Sequence, residues 1–341
     1  MIDHRTPAHS AHEHEHNGGP SLAPTPATAE ELDAAITAAL RAGAEIMHIY
    51  AREFSVEEKE DRSPLTEADT RAHTEIDAVL ADRTPEIPIL SEEGASIPAA
   101  ERQVWQRYWL VDPLDGTKEF IKKNDEFTVN IALMAAPDAP AAPAPAGTAP
   151  GSGVGSAGTA APAAGVVFVP ATGILYVGVV GKGAWSIKVE PDGTTLTGSG
   201  ARATPDLSHI AKHGTPLPAV LEYADRPFTV VASRSHLSPE TQAYIDTLRA
   251  DHPDLELLSA GSSIKICRVA EGSADEYPRF APTMEWDTAA GDAVARAAGC
   301  EVLAWDAQGG QAGGPAGAHA GPLTYNKQDL HNPWFLVRRR T

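Results

Sequence analysis

Trp109-Leu110-Val111-Asp112-Pro113-Leu114-Asp115-Gly116-Thr117 is the segment of this 341-residue chain that says most about its fold. The three apolar residues predict a strand, and Pro113 and Gly116 disfavour its straight continuation. Asp112 and Asp115 are therefore expected at a strand end, where ligands collect in an α/β sheet and where two acids can share hard cations. The alternative is an ordinary surface turn, because Asp, Pro and Gly are common turn residues.

Two more acidic segments favour the cation site over the turn. The segment 87–94 is a second short apolar strand that ends in acids, Glu92 and Glu93. Farther along, Asp287 lies at a predicted helix start, where it can cap the helix and face a cation or a phosphate. Acid clusters at three element ends indicate one polynuclear Mg²⁺ site. Two metals bridged by a phosphate are the constellation of a phosphatase.

These motifs resemble those of a known family. Three segments are similar to the signature motifs of the lithium-sensitive, Mg²⁺-dependent inositol monophosphatase superfamily: Leu90-Ser91-Glu92-Glu93, Asp112-Pro113-Leu114-Asp115-Gly116-Thr117 and Trp286-Asp287-Thr288-Ala289-Ala290-Gly291. Segments 108–121, 126–133, 261–267 and 277–280 resemble its bacterial 3′(2′),5′-bisphosphate nucleotidases. The resemblance runs from about Glu30 to the C-terminus, apart from two insertions.

The resemblance implies an α/β (α+β) fold, the layered αβαβα sandwich of the inositol monophosphatase and fructose bisphosphatase type. Composition predicts a disordered His-, Pro- and Ala-rich tail over residues 1–26. An N-terminal α+β half with the metal site is expected over 27–200, and a C-terminal α/β half with nucleotide-binding loops over 201–341. Stretches rich in Ala, Pro and Gly at 135–164 and 308–322 are interpreted as surface insertions.

Local signals predict the remaining elements. Thr28 and Glu31 form a capping box for a first helix that ends near Tyr50, and Thr66 caps a second that ends near Arg83. Asp69, in the first turn of the second helix, is interpreted as a solvated acid, and the alternative is a group that contacts the metal ligands from outside. Strands are predicted over 126–134, 165–170, 174–180, 184–189, 228–233 and 301–305, with later helices beginning near Ser238, Lys265 and Asp287.

The resemblance also implies roles for individual residues. Asp61, in a loop of the form Asp-x-Ser-Pro-x-Thr, and Thr117 would orient and deprotonate the attacking water. Two or three Mg²⁺ ions would be held by Glu92, Asp112, the carbonyl of Leu114, Asp115 and Asp287. Substrate contacts would come from Glu92, Leu114, Asp115, Gly116, Thr117, His236, Ser262, Lys265, Arg279 and Asp287.

Parts of the proposed nucleotide site can also be judged from the residues alone. The segment Gly261-Ser262-Ser263-Ile264-Lys265 is a small-residue loop that opens a helix, which is an anion site on physical grounds. Arg279 could hold a phosphate with a bidentate fork. However, a lone Lys or Arg in a loop is usually solvated, and His236 fits an ordinary helix-capping turn. These roles therefore depend mainly on the family resemblance.

The activity that the resemblance implies is hydrolysis of the 3′-phosphate of adenosine 3′,5′-bisphosphate to AMP. The sulfated form, 3′-phosphoadenylyl sulfate, would be a second substrate, and the pathway would be sulfate assimilation. An inositol monophosphate or fructose bisphosphate phosphatase would share every metal ligand, whereas His236, Lys265 and Arg279 favour a nucleotide. A catalytically silent nucleotide sensor is the alternative of another class, which is disfavoured because no motif acid is missing.

Composition argues against several other classes of protein. A formal net charge of −19 disfavours nucleic-acid polymers as partners. Cys267 and Cys300 are far apart and indicate buried thiols in a reducing compartment, not a disulfide framework. No secretory signal and no membrane span are predicted. A cytoplasmic monomer or homodimer is expected, with peripheral contact to the cytoplasmic face of the inner membrane left open.

Overall fold

The computed structural model describes residues 24–58, 64–136, 160–190, 193–196, 202–219, 226–233, 237–306 and 318–340. Its helices are α1 (Ala29–Tyr50), α2 (Glu67–Arg83), α3 (Ala99–Arg102), α4 (Thr117–Ile121), α5 (Leu207–His213), α6 (Pro239–Asp251), α7 (Ile264–Glu271) and α8 (Glu285–Ala297). Its strands are β1 (Val56–Glu58), β2 (Pro64–Thr66), β3 (Ile89–Ser91), β4 (Arg107–Asp115), β5 (Thr128–Ala135), β6 (Ala161–Val169), β7 (Ile174–Val179), β8 (Gly183–Lys188), β9 (Thr195–Leu196), β10 (Arg202–Ala203), β11 (Thr215–Pro216), β12 (Thr229–Ser233), β13 (Glu256–Ala260), β14 (Glu276–Arg279), β15 (Cys300–Asp306), β16 (Ala318–Pro322) and β17 (Phe335–Arg339).

The first sheet has seven strands in the order β11-β8-β7-β6-β5-β4-β3. All neighbours in it are antiparallel except β3 and β4. Side chains alternate along β4, so that Trp109 and Val111 pack in the core with α1 and α2, while Tyr108 and Leu110 pack in the core on the opposite face. Because both faces are covered, the central strands are apolar almost without interruption.

The second sheet completes a layered sandwich. It has six strands in the order β13-β12-β14-β17-β15-β16. Helices α7 and α8 lie in the core between the two sheets. Helix α6 packs on the outer face, where Tyr244 contacts Phe280 and Trp305. With α1 and α2 on the far side of the first sheet, the layers confirm the predicted αβαβα sandwich. Within the described part of the chain, no helix combines the length and the apolar character needed to cross a bilayer.

Two glycines allow α8 to lie close against the first sheet. A methyl group added at Gly165 in β6 would overlap the carbonyl oxygen of Ala290, and one added at Gly178 in β7 would overlap Cα of Val294. Both obstacles are backbone atoms of α8, so relief would require movement of the whole helix. The strands therefore set the position of the helix that carries Asp287.

We expect Gly165→Ala to destabilise the protein by about 1–3 kcal/mol, because the added methyl group forces α8 away from β6. Urea unfolding followed by circular dichroism measures this change. An unfolding midpoint equal to that of the wild type would contradict the close contact between the helix and the strand.

The structure corrects the predicted limits of three low-complexity segments. The tail prediction of 1–26 was too long, because the carbonyls of Thr25 and Pro26 accept hydrogen bonds from Arg107. The insertion predicted at 135–164 ends earlier, since β6 already begins at Ala161. The prediction of an insertion at 308–322 was wrong for the last five residues, because they form β16. Pairing of these Ala-, Pro- and Gly-rich strands with neighbours outweighs their low strand propensity. Residues 1–23, 137–159 and 307–317 lie outside the described residues.

The predicted boundary between the halves also needs correction. The second half was expected to begin at residue 201, but Thr215–Pro216 forms β11 at the edge of the first sheet, paired with β8. Strand β12 is the first element after it that belongs to the second sheet. Sequence patterns did not show this, because a two-residue strand is recognisable only by its partner.

Candidate metal and substrate site

Carboxylates from three distant parts of the chain meet beside one end of β4. Glu92 follows β3, Asp112 lies in β4 and Asp287 lies in the first turn of α8. One ligand oxygen from each lies within 4.8 Å of the others. In the part of the chain that the structure describes, this is the only such group of three or more His, Cys, Asp or Glu residues. The structure thus brings together one acid from each of the three predicted segments.

A β-bulge places Asp112 and Asp115 in the same site. In a regular strand, residues three apart point to opposite faces. Here Asp112 pairs with Asn130 and Asp115 pairs with Thr128, so that β4 has one residue more than β5 between the two pairs. Such a bulge bends the strand and re-aims its side chains. Proline is tolerated at this point because it has no backbone N–H to donate to a neighbouring strand. Pro113 lies in the bulge with β5 and beyond the last residue of β3, so neither pairing requires that N–H.

Ser263 and Asn130, to which the sequence analysis gave no role at the metal site, hold Asp115 in place. Its Oδ2 accepts hydrogen bonds from the backbone N–H of Ser263 and from the Ser263 hydroxyl, both at 2.6 Å, and from Asn130 Nδ2 at 3.3 Å. None of these bonds uses Oδ1. The loop before α7 therefore fixes a carboxylate on β4. One feature of the sequence could have indicated this contact. Asn130 is a polar residue in an apolar strand, and because its side chain is completely buried it needs a hydrogen-bond partner.

The acids fit a divalent cation. Burial raises the pKa of Asp112 well above its usual range, and the charges of Glu92, Asp115 and Asp287 raise it further. Burial and the charge of Asp115 likewise raise the pKa of Asp287. The site therefore concentrates negative charge where water screens it poorly. An oxygen-only set of ligands is the kind that Mg²⁺ prefers.

The raised pKa values predict how the stability of the metal-free protein depends on pH. Because the folded-state pKa of Asp112 lies above its unfolded value, stability from this group is present at low pH and is lost as pH rises through the folded pKa. In excess chelator, Asp112→Asn should therefore gain thermal stability over the wild type as pH is raised from about 5 to about 8. A difference in melting temperature that stays constant over this range would contradict the prediction.

Thr117 contacts a carboxylate that the sequence prediction left in solvent. Its Oγ1 lies 3.2 Å from Asp69 Oδ1 and 3.3 Å from the carbonyl oxygen of Leu114. The expectation that Asp69 is solvated was wrong, since its exposure is 2%. Asp69 Oδ2 also accepts from the N–H and the hydroxyl of Thr66, both at 2.7 Å, so the capping box itself holds the acid inside. Asp61, the predicted catalytic acid, lies outside the described residues.

A cavity of about 170 Å³ opens next to the acids. Six of the predicted substrate contacts line it: Asp115, Gly116, Ser262, Lys265, Arg279 and Asp287. Glu119 and Tyr277, which the prediction did not include, also line it. His236 lies outside the described residues.

The turn after Asp115 and the loop before α7 touch through two unusual backbone conformations. Gly116 has φ of 91° and Ser262 has φ of 42°. A methyl group at Gly116 would lie 3.1 Å from the carbonyl oxygen of Glu126 and 3.2 Å from Cβ of Ser262. Glycine is therefore required there by both conformation and space. A left-handed serine next to a cleft is the kind of strain that clusters at functional sites.

Two cationic side chains face the cavity. Lys265 is only 5% exposed, and its Nζ donates to the carbonyl of Ser262 at 2.7 Å. Burial, together with the charge of Arg279, lowers the pKa of Lys265 to about 8. Arg279 donates from Nη2 to the carbonyl of Pro282 at 2.9 Å, while its buried Nε makes no hydrogen bond within the described residues. Lys265 is thus not the solvated lysine that a loop position usually gives.

Comparison with known proteins places the chain in a family. The model of the inositol monophosphatase family matches residues 28–140 and 153–334. The 3′(2′),5′-bisphosphate nucleotidase CysQ of Escherichia coli is 39% identical over 310 residues, covering 90% of this chain and 98% of the relative. The crystal structure of CysQ from Bacteroides thetaiotaomicron aligns with a TM-score of 0.69 and 47% identity, over 90% of this chain and 96% of that chain. Inositol monophosphatase from Anabaena shares the fold, with a TM-score of 0.55 and 21% identity over 90% and 89% of the two chains. This chain therefore belongs to the inositol monophosphatase family.

Proposed function

We propose that this protein is a Mg²⁺-dependent 3′(2′),5′-bisphosphate nucleotidase that hydrolyses adenosine 3′,5′-bisphosphate to AMP and inorganic phosphate. The observation that carries the proposal is a cavity lined by groups of both charges. Asp115 and Asp287 line it together with the cationic groups of Lys265 and Arg279, and Asp287 also belongs to the cluster of acids that suits Mg²⁺. This arrangement suits a substrate with one phosphate to lose and a second to be held. The Escherichia coli relative, which is named as a 3′(2′),5′-bisphosphate nucleotidase, supports the same class of substrate.

The acid cluster is the proposed place of the metal. Glu92, Asp112, Asp115, Asp287 and the carbonyl of Leu114 would hold Mg²⁺. The ion supplies electrostatic stabilisation of the charge that develops on the phosphoryl group and the leaving oxygen. The clamp of Ser263 and Asn130 on Asp115 keeps one carboxylate in a fixed orientation without substrate. Such pre-orientation reduces the reorganisation needed during the reaction.

Thr117 and two acids are proposed to prepare the attacking water. The carboxylate of Asp69 accepts a hydrogen bond from the Thr117 hydroxyl. This bond would leave the lone pairs of Thr117 Oγ1 free to accept a hydrogen bond from the attacking water. Asp61 is proposed as the general base that accepts the water proton, a role that depends on its motif alone. The water oxygen then forms the new bond to phosphorus as the bond to the ribose oxygen breaks. No side chain is proposed to form a covalent phosphoenzyme.

Lys265 and Arg279 are proposed to hold the second phosphate, with His236 contacting the nucleotide. Their charges lie in a partly enclosed site, where they are worth more than in bulk water. We extend the proposal to 3′-phosphoadenylyl sulfate as a second substrate and to sulfate assimilation as the role, on the strength of the motif resemblance.

A phosphate-release panel tests the proposed function. Adenosine 3′,5′-bisphosphate, inositol 1-phosphate and fructose 1,6-bisphosphate would be compared at equal concentration with Mg²⁺. We expect the highest kcat/KM for the adenosine bisphosphate. A preference for either sugar phosphate would overturn the proposal.

The same assay tests the metal. We expect activity with Mg²⁺, little in excess chelator, and inhibition by Ca²⁺ and Li⁺. Ca²⁺ takes more ligands at longer distances than Mg²⁺, so it should occupy the acids without supporting the reaction. Full turnover in excess chelator would contradict the metal requirement.

A further inference from the structure

We propose that Tyr277 is a positioning residue that holds Lys265 and Arg279 ready for the second phosphate of the substrate. Through this role Tyr277 would help the site to select nucleoside bisphosphates over nucleoside monophosphates. The inference rests on the proposed function, because it concerns how the same two cations are kept in place.

The direction of the side chains along β14 places Tyr277 with both cations. Tyr277 and Arg279 are two residues apart in this strand, so their side chains leave the same face of the sheet. Glu276 points to the other face, where it accepts a hydrogen bond from Tyr244 on α6 at 2.8 Å. Tyr277 and Arg279 line one cavity together with Lys265 of α7.

The ring of Tyr277 contacts Lys265. The Lys265 ammonium lies over the ring, 5.6 Å from its centroid, which is within the range of about 6 Å for a cation–π contact. Phe335 on the neighbouring strand β17 meets the same ring edge-on, with the centroids 5.8 Å apart and the planes at 89°. Phe335 therefore limits the rotation of the ring. All three side chains are buried, and cation–π contacts are strongest where water is excluded.

The hydroxyl of the same side chain interacts with Arg279. Burial raises the pKa of Tyr277 to about 12, while the charge of Arg279 and a hydrogen bond with it lower that pKa. The hydroxyl is therefore protonated and uncharged at neutral pH. Arg279 also donates from Nη2 to the carbonyl of Pro282 at 2.9 Å, and its buried Nε has no hydrogen-bond partner in the part of the chain that the structure describes. The bond to Tyr277 thus helps to set the direction of the guanidinium fork.

A neutral side chain suits this place better than an acid. Burial lowers the pKa of Lys265, and the charge of Arg279 lowers it further because the two cations repel each other. A carboxylate in the place of Tyr277 would relieve that repulsion, but it would also repel the phosphate that the cations are proposed to bind. The face of a tyrosine ring attracts an ammonium without a net charge. Tyr277 would therefore keep both cations in place and leave their charge for the substrate.

Tyr244 provides a matched control. Its hydroxyl also donates to a residue of β14, because it bonds to Glu276 at 2.8 Å. However, Tyr244 lies on the outer face of the second sheet and is not among the residues that line the cavity. If Tyr277 only stabilised β14, then Tyr244→Phe would have the same effect on catalysis as Tyr277→Phe.

The experiment measures kcat and KM for adenosine 3′,5′-bisphosphate and for adenosine 3′-phosphate, which lacks the second phosphate. The proteins are the wild type, Tyr277→Phe, Tyr277→Leu and Tyr244→Phe, each with its melting temperature as a check on folding. We expect Tyr277→Phe to raise KM for the bisphosphate about three- to tenfold, because it removes the bond to Arg279. Tyr277→Leu also removes the ring and should raise this KM by about ten- to hundredfold.

The expected loss is confined to the second phosphate. Both Tyr277 variants should keep kcat for the bisphosphate, and kcat/KM for adenosine 3′-phosphate, within about threefold of the wild type. Tyr244→Phe should leave all of these values unchanged. Tyr277→Phe keeps the ring and its packing, so it tests the inference even if Tyr277→Leu fails to fold.

A double-mutant cycle with Arg279→Met tests whether the hydroxyl acts through Arg279. In the Arg279→Met protein, Tyr277→Phe should cause little further rise in KM for the bisphosphate, because the group that the hydroxyl positions is already absent. Additive effects of the two substitutions would overturn this part of the inference.

Three further results would overturn the role of Tyr277 and leave the proposed function intact. The first is an unchanged KM for the bisphosphate in Tyr277→Phe, the second is an equal loss with adenosine 3′-phosphate, and the third is an equal rise of KM in Tyr244→Phe. Release of phosphate from inositol 1-phosphate but from neither nucleotide would overturn both the role of Tyr277 and the proposed function.

Discussion

Asp112→Asn is expected to lower kcat by about three orders of magnitude while leaving the metal-free protein as stable as the wild type or more stable. The asparagine keeps the size of the side chain. It can still accept the hydrogen bond that the N–H of Leu114 donates to Asp112 Oδ1 at 3.0 Å in the wild type. The substitution removes a carboxylate whose ionised form is already disfavoured by burial and by the charges of Glu92, Asp115 and Asp287. The same charge is the one that the proposed Mg²⁺ would neutralise. Function and stability should therefore move in opposite directions at this residue.

Steady-state kinetics and thermal unfolding with and without Mg²⁺ test this prediction together. Wild-type protein should melt at a higher temperature with Mg²⁺, because an ion that binds only the folded state stabilises it. Asp112→Asn should lose most of that increase. The control is Asp77→Asn, the same chemical change at an exposed position on α2, which should alter neither kcat nor the effect of Mg²⁺. Near-normal turnover of Asp112→Asn would show that Asp112 does not hold the metal.

Lys265→Ala is expected to raise KM for adenosine 3′,5′-bisphosphate by about ten- to hundredfold and to leave kcat within about tenfold. The proposed contact to the second phosphate is shared by the bound substrate and the transition state, so its loss weakens binding without slowing the chemical step. Because Lys265 is buried, Lys265→Met is the better variant for separating charge from packing. A severe loss of kcat with unchanged KM would contradict the recognition role.

The lowered pKa of Lys265 adds a test by pH. Its ammonium is charged below about 8 and neutral above it. Since kcat/KM reports the free enzyme, we expect this parameter to fall as pH rises through about 8 in the wild type. Lys265→Arg keeps its charge over the whole range and should lack this fall. Lys212→Ala, at an exposed position on α5, is the control for loss of a lysine, and this variant should show the same fall in kcat/KM as the wild type.

Local patterns in the sequence predicted the elements that depend on near neighbours. The caps at Thr28 and Thr66 begin α1 and α2 as predicted. The run of three apolar residues before Asp112 identified a strand, and the structure places one acid from each of the three predicted segments in a single cluster. These predictions succeeded because a cap or a short apolar run is set within a few residues of the chain.

The details of the site depended on partners that lie far away in the sequence. Sequence patterns could not show that Ser263 would clamp Asp115, that Asp69 would be buried against Thr117, or that Lys265 would lose its contact with water. Each of these facts joins residues from different elements, and neither partner carries a local signal of the other. The first four residues of β6 and the whole of β16 were missed for the same reason, since pairing with their neighbours stabilises them.

The order of the amino acids specifies which groups are available to this protein: acids at strand and helix ends, a small-residue loop before a helix, and strands apolar on both faces. The directions in which those groups point depend on contacts between elements that are far apart in the chain. The bulge between Asp112 and Asp115 turns two carboxylates into one site, and Gly165 and Gly178 let α8 bring Asp287 close to them. Side-chain direction and burial follow from the register of paired strands and the distance between packed layers, which no short segment of the chain specifies.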